Sequence, residues 1–493
     1  MTAPWDDPVL PRQHASLRAA IGLLALIASA CLPSPDPPSS AAPPSPGPSE
    51  AAAADRRPIV IDADFDQSDI SAIAVLLRDP AIDVRAIAID GTGLVHCQGG
   101  RLVARYLLDE FGVSDIPFGC GRENGGPDAR PFPDDWRVTA DAGYGLDITP
   151  RVEPGAPLDA VDVIRAAVDS SKVRPTIVAL GPWTNLEDAF AADPTLSDRI
   201  AGIHGMLGVV DAPGNVYVDG FDGDAPLEWN AFADPSAVEA VLATDVPVDL
   251  IPLDATDDVP VPADLAERLA DDHAAAGADL TYELLVRHPA RLAADEGQQL
   301  WDELAALTVS SPALVTWSDA TVVVGDGGRL TRDAAGRPVR YASAADRVAV
   351  EAALLTALRR GEPRATPFQL AGSLTATWDG TTCTLAGDAV RPGFYGLTYT
   401  GSGGRPTGVL IAGVRAPRTW ADLTAFVAAL DLETMTGIPD WLIQGGEAAD
   451  EGGSGAPVAT TATLETGTFG PICLEGEWPD LTFTPGQSFD VAG

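Results

Sequence analysis

Short apolar runs alternate with helical patterns over residues 58–361 of this chain. The runs at 58–61, 84–89 and 176–180 have the length of buried strands, and a helical pattern of apolar residues follows each of them. Because a parallel strand needs a crossover helix before the next one, the alternation predicts a mainly parallel, doubly wound, Rossmann-like α/β sheet. Such sheets bind ligands beyond the carboxyl ends of their strands, so the residues after each run are candidates for a site.

An acidic cluster directly follows the first of these runs. Asp62, Asp64, Asp66 and Asp69 lie within eight residues, between the strand-like run and the next helical pattern. Carboxylates this close repel one another unless their pKa values shift or a cation binds, and their oxygens favour the hard ions Ca²⁺ and Mg²⁺. The alternative is a helix cap, in which Ser68 and Asp69 satisfy the helix N-terminus and the other aspartates are merely solvated.

The character of the chain changes after residue 361. Short alternating runs, separated by turns rich in Gly, Pro and Asp, continue to the end and predict an antiparallel β-sandwich domain over residues 362–493. No histidine occurs after His288, which excludes a blue-copper site with its histidine ligands. A structural or surface-interaction role remains for this domain, with no partner indicated.

The charge balance argues against nucleic acid as a partner. The 493 residues include 31 basic and 71 acidic side chains, for a formal net charge of −40. Binding to a phosphate backbone depends on Lys and Arg, so this chain is unsuited to it. The length and a hydrophobic content of 46% are sufficient for two folded domains and a tail.

The N-terminus has the features of a bacterial export signal. Arg12 and Arg18 precede an apolar run at 19–30 that is too short for a permanent membrane span, and small residues stand directly before Cys31. Residues 1–30 are therefore predicted to be a lipoprotein signal peptide, with Cys31 lipidated on the outer face of the cell membrane; an ordinary signal peptide is the alternative. Residues 31–57, rich in Pro, Ser and Ala, are predicted to form a disordered tether.

Four further cysteines are present: Cys97, Cys120, Cys383 and Cys473. In an exported protein an even number of cysteines favours disulfides over free thiols. Proximity in the sequence favours pairing the first two with each other and the last two with each other. The sequence alone does not fix this connectivity.

Five segments together resemble a known family. They are the acidic cluster at 62–69, Gly-Pro-Trp-Thr-Asn at 181–185, Pro-Gly-Asn at 213–215, Glu-Trp-Asn at 228–230, and Trp-Asp at 301–302. In this order they resemble the inosine–uridine preferring nucleoside hydrolases, over residues 58 to 360. The resemblance implies hydrolysis of the N-glycosidic bond of a ribonucleoside to ribose and free base, by a Ca²⁺-activated water. The resemblance does not decide whether the chain forms a homo-oligomer.

The resemblance also implies roles for individual residues. Asp64 matches the general base and a metal ligand, and Asp69, the carbonyl of Leu180 and Asp302 match the remaining protein ligands of Ca²⁺. The residues that match positions holding the ribose hydroxyls are Asn215, Glu228 and Asn230. This chemistry is physically coherent, because a Ca²⁺ ion lowers the pKa of water and carboxylates stabilise an oxocarbenium-like sugar.

The acidic motif departs from the family pattern at three positions. Ser68 stands where the family has the first of two adjacent aspartates, which is expected to contact the ribose and metal region. Asp66 replaces a glycine and is a candidate to compensate for the lost carboxylate near the substrate. Phe65 replaces a proline, which suggests a change in packing. The segment 91–93 also lacks the Asn or Asp that members carry there.

A further departure concerns the leaving base. Trp301 occupies the place where many members have a histidine that protonates the base, and it resembles the purine-preferring branch. Stacking of a base on an aromatic ring contributes about 1–3 kcal/mol, so Trp301 favours a purine weakly. A core aromatic is the alternative. His96 and His204 are other candidate proton donors, or structural residues.

Two other functions remain open from the sequence. An Asp-x-Asp motif after a strand also resembles haloacid-dehalogenase-type phosphatases, but Lys172, the lysine that this chemistry would need, stands just before a strand. The other alternative is a catalytically impaired lipoprotein that binds nucleoside or ribose, which the loss of the carboxylate at Ser68 supports.

Overall fold

The computed structural model describes two compact units, which divide after Phe368. The described residues are 56–150, 155–218, 226–288, 297–387, 391–429, 439, 441–450, 452–476 and 481–492, so the predicted signal peptide, Cys31 and nearly all of the predicted tether lie outside them. The division falls later than the expected boundary at 361. Buried Arg364 forms ion pairs with Asp279 and Glu283, and this joins the intervening segment to the first unit.

The first unit contains nine strands and twelve α-helices within its described residues. The strands are β1 (Arg57–Ala63), β2 (Ile82–Ile89), β3 (Phe118–Cys120), β4 (Thr176–Ala179), β5 (Gly202–Gly205), β6 (Val248–Leu250), β7 (Val315–Val324), β8 (Leu330–Arg332) and β9 (Arg337–Ala345). The helices are α1 (Gln67–Arg78), α2 (Cys97–Glu110), α3 (Asp134–Asp141), α4 (Ala160–Ser170), α5 (Thr184–Ala192), α6 (Trp229–Ala233), α7 (Pro235–Leu242), α8 (Leu253–Thr256), α9 (Leu265–Ala270), α10 (Ala276–Arg287), α11 (Trp301–Ser310) and α12 (Arg347–Leu358).

The nine strands form one sheet in the order β3-β2-β1-β4-β5-β6-β9-β7-β8. Every neighbouring pair from β3 to β9 in this order is parallel. Strand β7 runs antiparallel to both β9 and β8. The predicted mainly parallel α/β sheet is therefore confirmed. Chain progression reverses between β1 and β4, and such a switch point is where a crevice opens beyond the strand ends.

Burial on both faces explains why β1 is continuously apolar. Val60 belongs to a core with α4, α5 and α7, while Ile59 and Ile61 are fully buried as well. Strands covered on both sides in this way lack the polar alternation of half-exposed strands. The two central strands β1 and β4 are thus fixed by packing, and the residues after them inherit well-defined positions.

The second unit differs from the predicted sandwich. Its strands are β10 (Gly372–Trp378), β11 (Cys383–Gly387), β12 (Gly393–Thr400), β13 (Thr407–Val414), β14 (Leu442–Asp450), β15 (Val458–Leu464), β16 (Gly467–Glu475), β17 (Thr482–Pro485) and β18 (Phe489–Val491), with one helix, α13 (Trp420–Ala428). They form one sheet in the order β11-β10-β12-β15-β14-β13-β16-β17, with β18 also on β16, and β10 pairs parallel with β12. The β-rich character is confirmed, but the two separate antiparallel sheets of a sandwich are not present among the described residues.

This single sheet curls back on itself into a near-barrel. The Cys383–Cys473 disulfide joins β11, at one edge, to β16 near the other, and the indole of Trp378 donates to Glu475 at 2.8 Å. Strand β13 is buried throughout because Ile411 faces the enclosed core, whereas Leu410 belongs to the core that includes α13. Closure by curling uses the same short alternating strands as a sandwich, which is why the sequence pattern did not separate the two.

Both expected disulfides are present: Cys97–Cys120 and Cys383–Cys473. In the described ranges, no helix has both the length and the apolar character that crossing a membrane requires.

Removing the second disulfide is expected to destabilise the second unit. The bridged residues are 90 positions apart, so by chain entropy Cys383→Ser with Cys473→Ser costs about 4–5 kcal/mol in the free energy of unfolding. The matched control is Cys97→Ser with Cys120→Ser, which spans 23 positions and costs about 3–4 kcal/mol. Urea unfolding of the two double variants measures both losses. A smaller loss for the longer loop would contradict this account.

Candidate active site

The acidic cluster lies at the switch point of the sheet. Asp62 is the penultimate residue of β1, and its carbonyl accepts the N–H of Leu180, just beyond β4, at 2.7 Å. Asp64 packs against two glycines: a Cβ at Gly93 would come within 2.2 Å of its Oδ2, and one at Gly181 within 3.0 Å of its Cβ. The two loops approach this carboxyl so closely that only glycine fits opposite it.

The chain holds Asp64 in a fixed position. Its Oδ2 accepts the N–H of Leu94 at 2.9 Å and its carbonyl accepts that of Val95 at 3.2 Å. Burial raises its pKa to about 6. The next residue, Phe65, has φ of +58°, a conformation that proline cannot adopt. The replacement of proline therefore changes the backbone, beyond the packing change expected from the sequence.

Asp69 and Asp302 carry buried oxygens without partners. Asp69 Oδ2 accepts the N–H of Asp66 at 2.8 Å, but its Oδ1 has no partner, and neither has Oδ1 of Asp302. Burial raises the pKa of Asp69 well above its usual range, and the nearby charges of Asp302 and Asp64 add to this. An unpaired buried carboxylate is costly, so this pair of side chains favours either protons or a cation.

Ser68 bridges two carboxyls. Its Oγ lies 2.8 Å from Asp66 Oδ2 and 2.5 Å from Asp302 Oδ2. A hydroxyl has a single proton, so it can donate fully to only one of them. Asp66 is further held by the hydroxyl of Tyr144 at 3.1 Å, and it is also the N-cap of α1, in a capping box with Asp69. The cap and the site, which were alternatives from the sequence, involve the same residues.

The donor set is compatible with a hard cation that takes part of its shell from elsewhere. In the part of the chain described, no three His, Cys, Asp or Glu side chains converge tightly enough to hold a metal ion alone. The carbonyl of Leu180 accepts the amide of Asn230 at 2.8 Å and retains a second lone pair. Ca²⁺ accepts such mixed shells of carboxylate, carbonyl, water and substrate oxygens, and the two free Oδ1 atoms fit it.

Glu228 and Asn230 form a rigid polar wall beside Leu180. Glu228 is the N-cap of α6; its Oε1 accepts the N–H of Asn230 and its Oε2 that of Gly208, each at 2.8 Å, and burial raises its pKa to about 7. The side-chain amide of Asn230 donates to the carbonyls of Leu180 and Met206 at 2.8 and 3.1 Å. With both amide hydrogens engaged, Asn230 presents its oxygen to a ligand, which suits a hydroxyl donor.

Asn215 and Trp301 are less closely integrated. Asn215 is half-buried, and its backbone N–H donates to the carbonyl of Leu227 at 2.9 Å. Its side-chain Oδ1 is buried and has no hydrogen-bond partner. Trp301 opens α11 and is half-buried, and its Nε1 has no partner. It is therefore not a fully enclosed core aromatic. Among the described residues, no hydrogen bond connects either side chain to the acidic cluster.

Asp90 is a buried acid that the sequence motifs did not single out. It directly follows β2; its Oδ1 accepts the N–H of Thr92 at 2.9 Å and its Oδ2 has no partner. Burial, and then the charge of Asp62, raise its pKa well above the usual range. Asp62 itself accepts the amide of Asn185 at 2.7 Å, and burial raises its pKa to about 7. The sequence does contain a signal for Asp90, because this residue directly follows the apolar run 84–89, just as Asp62 directly follows the run 58–61.

Comparison with known proteins places this sheet and its acidic edge in one family. The family model "Inosine-uridine preferring nucleoside hydrolase" matches residues 59–354. The chain belongs to this family. A crystal structure of the inosine-uridine preferring nucleoside hydrolase from Bacillus anthracis superposes with a TM-score of 0.55 at 24% identity, over 62% of this chain and 99% of that one. At this identity the likeness shows the fold.

Two sequence relatives in the nucleoside hydrolase family are named for pyrimidine nucleosides. The pyrimidine-specific ribonucleoside hydrolase RihA of Citrobacter koseri is 31% identical over 206 residues, which is 40% of this chain and 61% of that protein. "Probable uridine nucleosidase 2" of Arabidopsis thaliana is 29% identical over 288 residues, 56% of this chain and 84% of that one. The chain thus spans about three-fifths of the first of these relatives.

Proposed function

We propose that this chain hydrolyses the N-glycosidic bond of ribonucleosides, releasing ribose and free base, with Ca²⁺ as its cofactor. The observation that carries the proposal is the buried acidic cluster at the switch point of a nucleoside hydrolase fold, with free carboxylate oxygens on Asp69 and Asp302. When bound, Ca²⁺ would lower the pKa of a water molecule and bind the two hydroxyls of the sugar diol.

The protein's own residues then have separate tasks. Asp64 takes the proton of the attacking water, and a pKa of about 6 suits a general base that works near neutral pH. Glu228, Asn230 and Asn215 orient the ribose hydroxyls. The surrounding carboxylates stabilise the positive charge that develops on the sugar as the base departs. Trp301 stacks on the leaving base, which favours purines weakly.

Base release from a panel of nucleosides tests this function. Inosine, guanosine, adenosine and uridine are incubated with the purified protein in Ca²⁺ or in a chelator, and free base and reducing sugar are measured. Release that needs Ca²⁺ is expected, with purines ahead of uridine. The second candidate, a binding protein without turnover, is favoured by Ser68 in place of a carboxylate; tight nucleoside binding with no release would establish it instead.

The Asp66 and Ser68 pair provides a specific prediction. Asp66 supplies a carboxylate that Ser68 holds, so Asp66→Gly alone is expected to lower kcat/KM by about tenfold, or ~1.4 kcal/mol. Adding Ser68→Asp restores the family's arrangement and the activity. Thermal unfolding serves as control, because a glycine N-cap costs only about a few tenths of a kcal/mol. If the double variant is no more active than Asp66→Gly alone, Asp66 does not compensate for the carboxylate that is missing at Ser68.

We also propose that the protein is exported and anchored to the outer face of the cell membrane through lipidated Cys31. The signal-like segment supports this, and the two disulfides suit an oxidising compartment. Cys31→Ala is expected to move the protein from the membrane fraction to the medium or periplasm. Unchanged membrane association in that variant would rule out the anchor.

A further inference from the structure

A histidine and an aspartate form a fixed pair beside the acidic cluster. His96 is the N-cap of α2, and Asp141 is the last residue of α3. The carboxylate of Asp141 accepts two hydrogen bonds from His96, both at 2.7 Å. The backbone N–H of His96 donates to Oδ1, and the ring Nδ1–H donates to Oδ2. A carboxylate only accepts, so Nδ1 carries the proton that it contacts and the ring orientation is set. Nε2 remains to face a ligand.

The surrounding chain is built to hold this pair. A Cβ at Gly99, in the first turn of α2, would lie 2.5 Å from Asp141 Oδ1, so a glycine is needed for the close approach. Arg137 of α3 donates to the carbonyl of Gly91 at 2.7 Å and to that of Val95 at 3.3 Å. The disulfide of Cys97 fixes the residue after the histidine. Helix, loop and disulfide together restrict the imidazole to one place.

The same loop contacts the proposed general base. Leu94 donates its N–H to Asp64 Oδ2 at 2.9 Å, and Val95 donates to the carbonyl of the same residue. His96 is two residues from Leu94, so their Cα atoms lie within about 7 Å of each other. The His96 loop therefore belongs to the rim of the site at the carboxyl ends of β1 and β2.

Two other histidines of the first unit are less suited to contact a substrate. The ring Nε2 of His204 lies 3.0 Å from both the carbonyl of Ala305 and Thr308 Oγ1, inside the core. His273 contacts Asp279 and packs on Tyr282. By contrast, the side chain of His96 is 43% exposed. His288 packs edge-on against Tyr144 and is the best comparison residue.

We propose that His96, oriented by Asp141, is the general acid that protonates the departing base; this inference rests on the proposed nucleoside hydrolysis. As the bond between C1′ and the base nitrogen breaks, its electron pair goes to the base. Nε2–H of the imidazolium gives its proton to a ring nitrogen of that base, while water adds to C1′ and gives its proton to Asp64. The base leaves neutral; Asp64 then releases its proton to solvent, and His96 regains one.

The test compares leaving groups that differ in their need for a proton. Inosine requires protonation of its base, whereas the p-nitrophenolate of p-nitrophenyl β-D-ribofuranoside departs unaided. His96→Gln is expected to lower kcat for inosine by about 10²–10⁴-fold, the usual contribution of a general acid, and to leave the p-nitrophenyl riboside nearly unchanged. Asp141→Asn, which acts on the reaction only through His96, should give the same pattern with a smaller loss. His288→Gln is the matched control and should not split the two substrates.

The outcomes separate this inference from the proposed function. Turnover of the p-nitrophenyl riboside by His96→Gln shows at the same time that the variant is folded. Equal activity of His96→Gln and wild type on inosine, or an equal loss on both substrates, would overturn the role of His96 while leaving hydrolysis intact. A split shown by His288→Gln alone would also overturn it. A wild-type protein inactive on both substrates would overturn the proposed function and this inference together.

Discussion

Asp64→Asn is expected to lower kcat for nucleoside hydrolysis by about 10²–10⁴-fold, because it removes the group that takes the proton of the attacking water. The fold should survive. Asparagine retains an oxygen that can accept the N–H of Leu94, and the change removes a buried carboxyl whose pKa of about 6 shows that its charge is disfavoured there. Initial rates of base release, together with thermal unfolding, measure both effects.

The pH dependence of the rate distinguishes a base from a residue that only shapes the site. With Asp64 as base, kcat/KM of the wild type rises with pH through the pKa of this carboxyl, at about 6 without a cation and lower when a cation lies beside it. Asp64→Asn should lack this rise. Asp83→Asn, on β2 and salt-bridged to Arg85, is the surface control and should behave as the wild type. Full activity in Asp64→Asn would refute the assignment.

The sequence predicted the features that depend on local periodicity. Continuous apolar runs such as 58–61 indicated buried strands, and the sequence placed Asp64 and Asp69 at the junction of the first strand and the following helix, where the structure has them. Pairing of cysteines by proximity was also confirmed in both units. These features depend on a few neighbouring residues, so a single sequence contains the information.

Features that depend on contacts between residues far apart in the sequence could not be predicted. The strands of the second unit have the same alternation in a sandwich and in a curled sheet, and the contact of β11 with β16 decides between them. The positive φ of Phe65 is a backbone conformation that no local sequence pattern specifies. The amide direction of Asn230 likewise depends on the carbonyls of Leu180 and Met206, which come from separate loops.

Without a divalent cation, the first unit is expected to lose stability as pH rises from about 4 to about 7. Burial raises the pKa of Asp62 to about 7 and of Asp64 to about 6, against an ordinary value of 3.8, and it raises those of Asp69 and Asp302 as well. The folded state therefore binds more protons than the unfolded state. The stabilisation is complete below pH 3.8 and disappears as pH passes the folded pKa values, by about 1.4 kcal/mol per group and pH unit.

Ca²⁺ should reverse this trend, because a cation pairs with the carboxylates that the rising pH ionises. The increase in Tm on replacing chelator with excess Ca²⁺ is expected to be small near pH 4 and to grow through pH 7. In the double variant Asp69→Asn with Asp302→Asn, the decrease of Tm with rising pH in chelator and the increase of Tm on adding Ca²⁺ should both be smaller. Asp326→Asn, at a highly exposed carboxylate, is the control and should change neither quantity. A Tm that rises with pH in chelator, or a Ca²⁺ effect independent of pH, would show that these buried carboxyls do not form the cation site.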